Sequence, residues 1–207
     1  MGIALYAFAS SSGPNGTQTV VDDSSTGTVA WSNPMNATTS DGVYANAILP
    51  SISYTTHYLK ATNFGFSLPI SSTINGILVE IEKKENNGSQ TNCSRDNIVS
   101  IVKSNGTIGA VNKADTVDEW PLTDTYKSYG SLSDLWGETW TSSDINNSNF
   151  GVVLSGTGLD CGGTGSITQY VDYIRITVYY TPASTSNYEC QILSGQLQVR
   201  SGKFSIQ

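Results

Sequence analysis

Charge of either sign is scarce in this chain of 207 residues. Charged residues make up 13% of it, and 17 acidic against 10 basic residues give a net charge of −7 at neutral pH. An acidic chain without a cluster of lysine and arginine lacks the electrostatic footprint of a nucleic-acid-binding protein. No run of apolar residues approaches the roughly 18 that a membrane-spanning helix needs. We therefore expect neither nucleic acid nor membrane insertion, while 38% hydrophobic residues suffice for a folded core.

Cysteine and histidine are also few, which limits metal chemistry. The three cysteines are Cys93, Cys161 and Cys190, none of them in a Cys-x-x-Cys motif, and His57 is the only histidine. A thiolate zinc site would need more ligands, so no cofactor is expected. Structural calcium is disfavoured because the chain has no Asp-x-Asp-x-Asp-Gly loop. Cys93 and Cys161 lie in polar, loop-like segments, so a disulfide between them and free thiols are both open interpretations.

Catalytic motifs are missing as well. His57 stands where a strand begins, with no local carboxylate or nucleophile to complete a catalytic pair. Gly-x-Ser-x-Gly is absent, and the glycine-rich stretches at 156–158 and 162–165 lack the lysine and helix start of a phosphate loop. A glycosidase needs two carboxylates at a fixed separation, and nothing singles out a pair among the acidic residues. These observations predict a protein that is not an enzyme.

A periodicity of two dominates the pattern that is present. Apolar residues alternate with others over 77–82 and again over 171–180, which is typical of half-buried strands. In the second of these strands, the face that carries Tyr173 and Arg175 is expected to be partly exposed to solvent. Further strands are expected at 58–68 (one longer, bent strand), 98–102 and 150–154, with weaker candidates at Val20, 28–31 and 44–49.

Turn signals separate these strands at short, regular intervals. Asn105-Gly106 is the strongest of them and predicts a type I′ hairpin. Helical signal is confined to single turns: Thr141 with Asp144 predicts a capping box, and a second turn is expected over 131–136. Many short strands with such turns predict an all-β fold, a jelly-roll-like antiparallel β-sandwich with short helical turns only.

The two ends differ in composition from the middle and set the predicted domain boundaries. We expect an N-terminal arm over 1–18, the β-sandwich over 19–181, and a C-terminal linker and assembly segment over 182–207, with hairpin strands at 196–200 and 203–207. An isolated two-stranded hairpin is marginal in water, so this piece needs a partner surface. Both ends are therefore predicted to build homo-oligomers. The residues assigned to this assembly interface are Ile3, Leu5, Tyr6, Phe8, Leu197, Val199, Phe204 and Ile206.

Aromatic residues concentrate between positions 120 and 140. Trp120, Trp136 and Trp140 lie there with Tyr126 and Tyr129, interleaved with leucines. Large planar rings that stay exposed are suited to stacking on sugars, so the three tryptophans form the candidate glycan platform. The interleaved leucines favour the other interpretation, in which this loop-rich segment closes one side of the core.

Several segments together resemble a known family. They are Ala30-Trp31-Ser32-Asn33-Pro34, Asp41-Gly42-Val43-Tyr44-Ala45, 58–66, 74–82, Arg95-Asp96-Asn97, Asp134-Leu135-Trp136-Gly137, Trp140-Thr141 and 172–180. In this order they resemble a β-sandwich domain of tailed-phage virion structural proteins and related uncharacterised bacterial proteins, over about residues 19–181. The resemblance implies a sandwich fold and carries over no catalytic residues.

The resemblance and the residues together predict a non-enzymatic structural protein of a phage or virus particle. It would be a capsid decoration, a head fibre or a tail-associated subunit, exposed on the virion surface after synthesis in the host cytoplasm. The apolar stretch at 2–9 is short for a secretory signal and lacks a preceding basic residue. The expected partners are other virion proteins and further copies of the chain. The alternative is a carbohydrate-binding module or adhesin head that holds host-surface glycans.

Overall fold

The computed structural model describes residues 8–50, 53–86, 93–160 and 166–183, together with the backbone of 188–193 and 196–201. In chain order the elements are β1 (Ser10–Gly16), β2 (Thr19–Asp23), a 3-10 helix (Pro34–Ala37), β3 (Ala45–Leu49), β4 (Tyr58–Thr62), β5 (Thr73–Asn86), β6 (Ser94–Val102), β7 (Thr125–Ser131), α1 (Ser142–Ile145), β8 (Gly151–Gly158), β9 (Ile167–Thr181), β10 (Tyr188–Leu193) and β11 (Gln196–Ser201).

Two antiparallel sheets form a sandwich, which confirms the predicted fold class. The five-stranded sheet has the order β1-β9-β5-β7, and β3 pairs with the other half of the edge of β9 that β1 occupies. The four-stranded sheet has the order β2-β4-β8-β6. The strands β10 and β11 pair with each other as a separate two-stranded sheet.

The alternation of apolar and polar side chains explains why β5 and β9 form long central strands. In β5, Val79 and Ile81 are fully buried between the sheets, whereas Glu80 and Glu82 lie on the opposite face. In β9, Ile174 and Ile176 are buried and Arg175 between them is only half-buried. The predicted strand over 77–82 is thus confirmed. The partly exposed face of β9 is confirmed at Tyr173 and Arg175 but not at Val171, which is buried in the core because the register shifts between Glu82 and Lys83. The core continues across both sheets as one hydrophobic cluster that also contains Phe150.

Two local predictions need correction, and both depend on backbone conformation. The bent strand predicted over 58–68 ends at Thr62, because Asn63 takes a φ of 58°, outside the extended region. The turn at Asn105-Gly106 joins a hairpin, but only Gly106 has a positive φ, at 83°. A type I′ turn needs positive φ at both central residues. Lys103 instead receives a hydrogen bond from the Gly106 N–H, as in a type I turn followed by a glycine bulge.

The predicted helical turn at 140–146 is confirmed in detail. Thr141 accepts a hydrogen bond from the Asp144 N–H, and the Asp144 carboxylate accepts one from the Thr141 N–H. This reciprocal pair is the capping box that the sequence predicts. The second helical turn, predicted over 131–136, is not formed, because this segment contains reverse turns but no helix.

At the ends, the strands are shifted from the predicted positions. Residues 10–16, assigned to the arm, form β1 and pair with β9, so the sheet begins before residue 19. At the C-terminus a hairpin is present, in which 196–201 is the second strand and pairs with 188–193, whereas the predicted strand at 203–207 lies outside the described residues. The period-two pattern identified this strand but not its partner.

Candidate functional site

The outer surface of the five-stranded sheet gathers tyrosines and charged side chains in aligned rows. Glu82 of β5 lies opposite Tyr126 of β7 on one side and Tyr173 of β9 on the other. Lys84 lies opposite Tyr170 in the next such row. Directly opposed side chains on one face of a sheet contact each other. We call this surface the tyrosine face and define it by Tyr44, Glu80, Glu82, Lys84, Asp124, Tyr126, Tyr170, Asp172, Tyr173 and Arg175.

Arg175 organises one end of the tyrosine face. Its Nε and Nη2 atoms donate to the two carboxylate oxygens of Glu80 at 3.0 and 3.2 Å. Its guanidinium carbon lies 4.1 Å from the ring centre of Tyr126, in cation–π contact. The hydrogen bonds that Arg175 donates to Glu80, together with the negative charge of Glu80, raise the pKa of Arg175. The bidentate hydrogen bonding with Glu80 fixes the plane of the guanidinium group, which lies over the Tyr126 ring.

Lys84 organises the other end. Its Nζ donates to the Tyr44 hydroxyl at 2.6 Å and to Asp124 at 3.1 Å, and it lies 4.1 Å from the Tyr44 ring centre. The Tyr44 hydroxyl in turn donates to Asp124 at 2.9 Å. Tyr170 packs edge-on against Tyr44, with ring centres 5.4 Å apart. Partial burial would lower the pKa of Lys84, but the hydrogen bonds to Tyr44 and Asp124 raise it.

Carboxylates between these two ends give the tyrosine face an acidic centre. Burial raises the pKa of Asp172, and the charges of Glu82 and Asp124 raise it further. Asp172 accepts hydrogen bonds from the backbone N–H groups of Asp41 and Gly42. These bonds attach the loop that precedes β3 to the sheet. The Oε2 atom of Glu82 is buried and has no hydrogen-bond partner among the described residues. An acceptor of this kind can be satisfied by a hydroxyl or amine donor of a ligand once the surrounding side chains adjust.

The three tryptophans predicted as a glycan platform lie in the core instead. Trp120 and Trp136 are 1% exposed and Trp140 is 8% exposed. Each indole N–H is hydrogen-bonded internally, to Asp96, to the Ile77 carbonyl and to the Leu135 carbonyl, respectively. The platform prediction is therefore wrong at these positions, because buried rings present no face to a sugar. The other interpretation, a segment that closes the core, is confirmed.

His57 has a carboxylate partner that the sequence pattern did not supply. Its Nδ1 lies 2.9 Å from Asp22 Oδ2, while Asp22 Oδ1 accepts a hydrogen bond from the Trp31 N–H. Trp31 completes the ring by donating its indole N–H to the His57 carbonyl. Among the described residues no hydroxyl or thiol is hydrogen-bonded to this imidazole, so the arrangement ties β2, β4 and the loop between them together.

A second polar cluster lies inside the sandwich, around Asp96. Its carboxylate accepts hydrogen bonds from Lys83, Trp120, Tyr129 and the Asp115 N–H. A cavity of about 210 Å³ opens beside it, lined on its outer side by further acidic and basic residues. They include Asp115, Asp118, Glu119 and Lys127. Lys127 holds the pKa of the Asp115 carboxyl far below its usual range.

The predicted assembly residues fall mostly at the margins of the described chain. Phe8 lies just before β1 and is 81% exposed. Leu197 and Val199 lie in β11, where the backbone alone is described. Ile3, Leu5, Tyr6, Phe204 and Ile206 lie outside the described residues.

Cys93, predicted as one half of a disulfide, is disulfide-bonded. Cys161 lies outside the described residues, so the predicted pairing stays a prediction. Within the described ranges no three His, Cys, Asp or Glu side chains are placed to hold a metal ion. In the same ranges no helix is long and apolar enough to cross a membrane.

The tyrosine face was not predicted as a site from the sequence, although the alternating pattern of β9 indicated part of it. The alternation over 171–180 placed Tyr173 and Arg175 on one strand face. The pairing of β9 with β5 and β7 was needed to bring Glu82 and Tyr126 beside them. Tyr44 reaches the tyrosine face from the loop that precedes β3, so its contacts with Lys84 and Tyr170 could not be predicted from strand alternation.

Comparisons with known proteins add little to this geometry. No family model and no curated protein matches the chain. A solved structure titled "CBM4 structure and function" matches 72% of this chain and 89% of its own, with 8% identity and a TM-score of 0.35. A likeness this loose carries no argument about function.

Proposed function

We propose that this chain is a non-enzymatic structural protein exposed on the surface of a phage or virus particle, where it assembles through its terminal segments. The observation that carries the proposal is the C-terminal hairpin. The strands β10 and β11 form a sheet of their own, and each pairs only with the other among the described strands. Two strands alone are marginally stable in water, so the hairpin calls for a partner surface.

The N-terminal end supports the same proposal. Phe8 exposes 81% of its surface directly before β1, which runs along the edge of the five-stranded sheet. A large exposed aromatic side chain beside a sheet edge is suited to a protein interface. Both termini of the sandwich therefore lead into segments suited to docking on another copy or on another virion protein.

Light scattering after size-exclusion chromatography tests the assembly. The full chain is compared with a variant that ends at residue 183, which keeps β1 to β9, and with Phe8→Ser in the full chain. We expect the full chain to be oligomeric and the shortened variant to be monomeric with an unchanged β-sheet circular dichroism spectrum. A full chain that is monomeric at all concentrations contradicts assembly through its own ends.

Particle analysis tests the location. Peptides of this chain must appear in purified particles whose genome encodes it, and limited protease treatment of intact particles must release them first. Absence from the particles contradicts the proposal, whatever the oligomeric state.

A second candidate function, glycan binding, is supported by the tyrosine face. It combines four half-buried tyrosines with a fixed guanidinium, carboxylates and a carboxylate oxygen that no described residue hydrogen-bonds. Sites for small polar ligands pair planar apolar groups with a few oriented hydrogen-bonding groups in this way. On a particle surface, such a face would hold glycans of the host.

A glycan array followed by calorimetry tests this candidate. We expect Tyr170→Ala and Arg175→Met to lower affinity for any retained glycan at least tenfold without loss of folding. Tyr54→Ala is the matched control, because Tyr54 is 42% exposed and lies outside the tyrosine face. Equal loss in Tyr54→Ala, or retention in both face variants, contradicts this site.

A further inference from the structure

Lys83 and Asp96 face each other inside the sandwich, where charged side chains are rare. Lys83 belongs to β5 of the five-stranded sheet, and Asp96 belongs to β6 of the four-stranded sheet. Their side chains are 3% and 1% exposed, and Lys83 Nζ is in contact with Asp96 Oδ1. The amine of one sheet therefore touches the carboxyl group of the other, away from bulk water.

Aromatic side chains and directed donors surround this contact. Lys83 Nζ lies 4.4 Å from the Trp120 ring centre and donates to the Tyr129 hydroxyl at 2.7 Å. Trp120 Nε1 donates to Asp96 Oδ1 at 2.8 Å. The Tyr129 hydroxyl and the Asp115 N–H donate to Asp96 Oδ2 at 2.7 and 3.1 Å. The Tyr129 hydroxyl thus links the amine to the far oxygen of the carboxyl group.

We propose that Lys83 and Asp96 condense to an intramolecular amide, a covalent link between the two sheets. The reaction needs no co-reactant, because an amine and a carboxylic acid give an amide and one water molecule. The Tyr129 hydroxyl accepts a proton from the Lys83 ammonium and passes its own proton to Asp96 Oδ2, which leaves a neutral amine and a carboxylic acid. The charged pair becomes a neutral pair without any proton leaving the cluster.

The bond changes then follow in two steps. The Lys83 Nζ lone pair attacks Asp96 Cγ, a C–N bond forms, and the C=O electron pair moves onto Oδ1. The Trp120 N–H already points at Oδ1 and stabilises the negative charge that develops there. The C=O bond then reforms, Oδ2 leaves with its proton and one from Nζ as water, and the amide remains.

Burial favours the neutral amine that this chemistry requires. Burial lowers the pKa of Lys83, opposed by the charge of Asp96. Burial and the Asp96 charge raise the pKa of Tyr129 well above its usual value, so the hydroxyl keeps its proton and can relay one. In bulk water the ionised acid and amine are strongly solvated, and at this buried site they are not. The adjacent cavity lined by Lys127 and Glu119 offers the released water a way out.

Such a link would have a mechanical role. It joins the C-terminal part of β5 to the start of β6 and would hold the sheets together under force. The link lies in the interior of the sandwich and is independent of either proposed function.

Intact-mass measurement of the reduced, full-length chain tests the proposal. We expect a mass lower by one water molecule than the sequence requires. Trypsin must then yield 61–84 joined to 96–103 as one species, because an amidated Lys83 is no longer cleaved. A chain with the unmodified sequence mass, or with the two peptides recovered separately, overturns the proposal.

Variants separate this link from other dehydrations. Asp41-Gly42 can also lose water by forming a cyclic imide, so the mass is measured again after mild base, which opens the imide and leaves the amide. Lys83→Met must restore the full mass. Asp96→Asn must lose ammonia instead of water, with the same peptide pair joined. If Lys83→Met fails to fold, the peptide map of the wild-type chain still tests the link through the joined peptides 61–84 and 96–103. A loss of water that maps to residues 41–42 overturns the proposal.

Discussion

Trp136 provides the sharpest test of the core that the 120–140 segment builds. Its ring is 1% exposed, and its indole N–H donates to the Ile77 carbonyl at 3.0 Å. Burying a tryptophan removes about 150–250 Å² from water, which corresponds to about 4–6 kcal/mol at about 25 cal/mol per Å². Substitutions of large core residues by alanine lose about 3–5 kcal/mol. We therefore expect Trp136→Ala to lower the free energy of unfolding by about 4 kcal/mol.

Urea unfolding followed by far-UV circular dichroism measures this change, since fluorescence would be altered by the substitution itself. With a slope of about 2 kcal/mol per M, the midpoint should fall by about 2 M. Leu132→Ala is the matched control, because Leu132 lies in the same segment and is 65% exposed. Its free energy of unfolding should change by less than about 0.5 kcal/mol.

The backbone of Trp136 gives an independent check on the reasoning. Its φ of 57° lies in the left-handed region, where a residue with a Cβ is strained by about 1–2 kcal/mol. Trp136→Gly should therefore be more stable than Trp136→Ala by about 1 kcal/mol, although it removes one more carbon. A midpoint for Trp136→Ala no lower than that of Leu132→Ala would refute the assignment of this ring to the core.

Three further predictions concern the cap, acid stability and the buried cluster. Thr141→Ala removes the hydroxyl half of the capping box and should lower the free energy of unfolding by about 1 kcal/mol, measured from urea midpoints. Thr123→Ala is the control and should leave the midpoint unchanged, because Thr123 is exposed. Hydrogen bonds from the Ser104 and Thr141 hydroxyls hold the pKa of Asp144 below its usual 3.8. The stability that this carboxylate contributes is therefore present above that value and lost as pH falls through the folded pKa, and Asp144→Asn should flatten the acid side of the midpoint-against-pH curve. Asp96→Ala leaves a buried amine without its carboxylate and should cost at least about 3 kcal/mol, measured by the same unfolding; a loss below about 1 kcal/mol would contradict its buried pairing.

The fold class and most of the strands could be predicted from the amino-acid sequence. Alternation of apolar side chains is local information, and it identified β5 and β9 together with the half-buried outer face of β9. The capping box at Thr141 and Asp144 was readable for the same reason, because both partners lie within one turn. Predictions that depended on backbone angle were less secure, as the ending of β4 at Asn63 shows.

The environment of most aromatic and charged side chains follows from the packing of strands that are distant in the sequence. The leucines interleaved with Trp120, Trp136 and Trp140 favoured burial, but the place of these rings in the core depends on strands far away in the chain. Strand pairing likewise created the tyrosine face, and the packing of one sheet on the other brought Lys83 against Asp96. Residue spacing records which face of a strand a side chain occupies, whereas contact between strands depends on register and sheet order, which a period-two pattern does not contain.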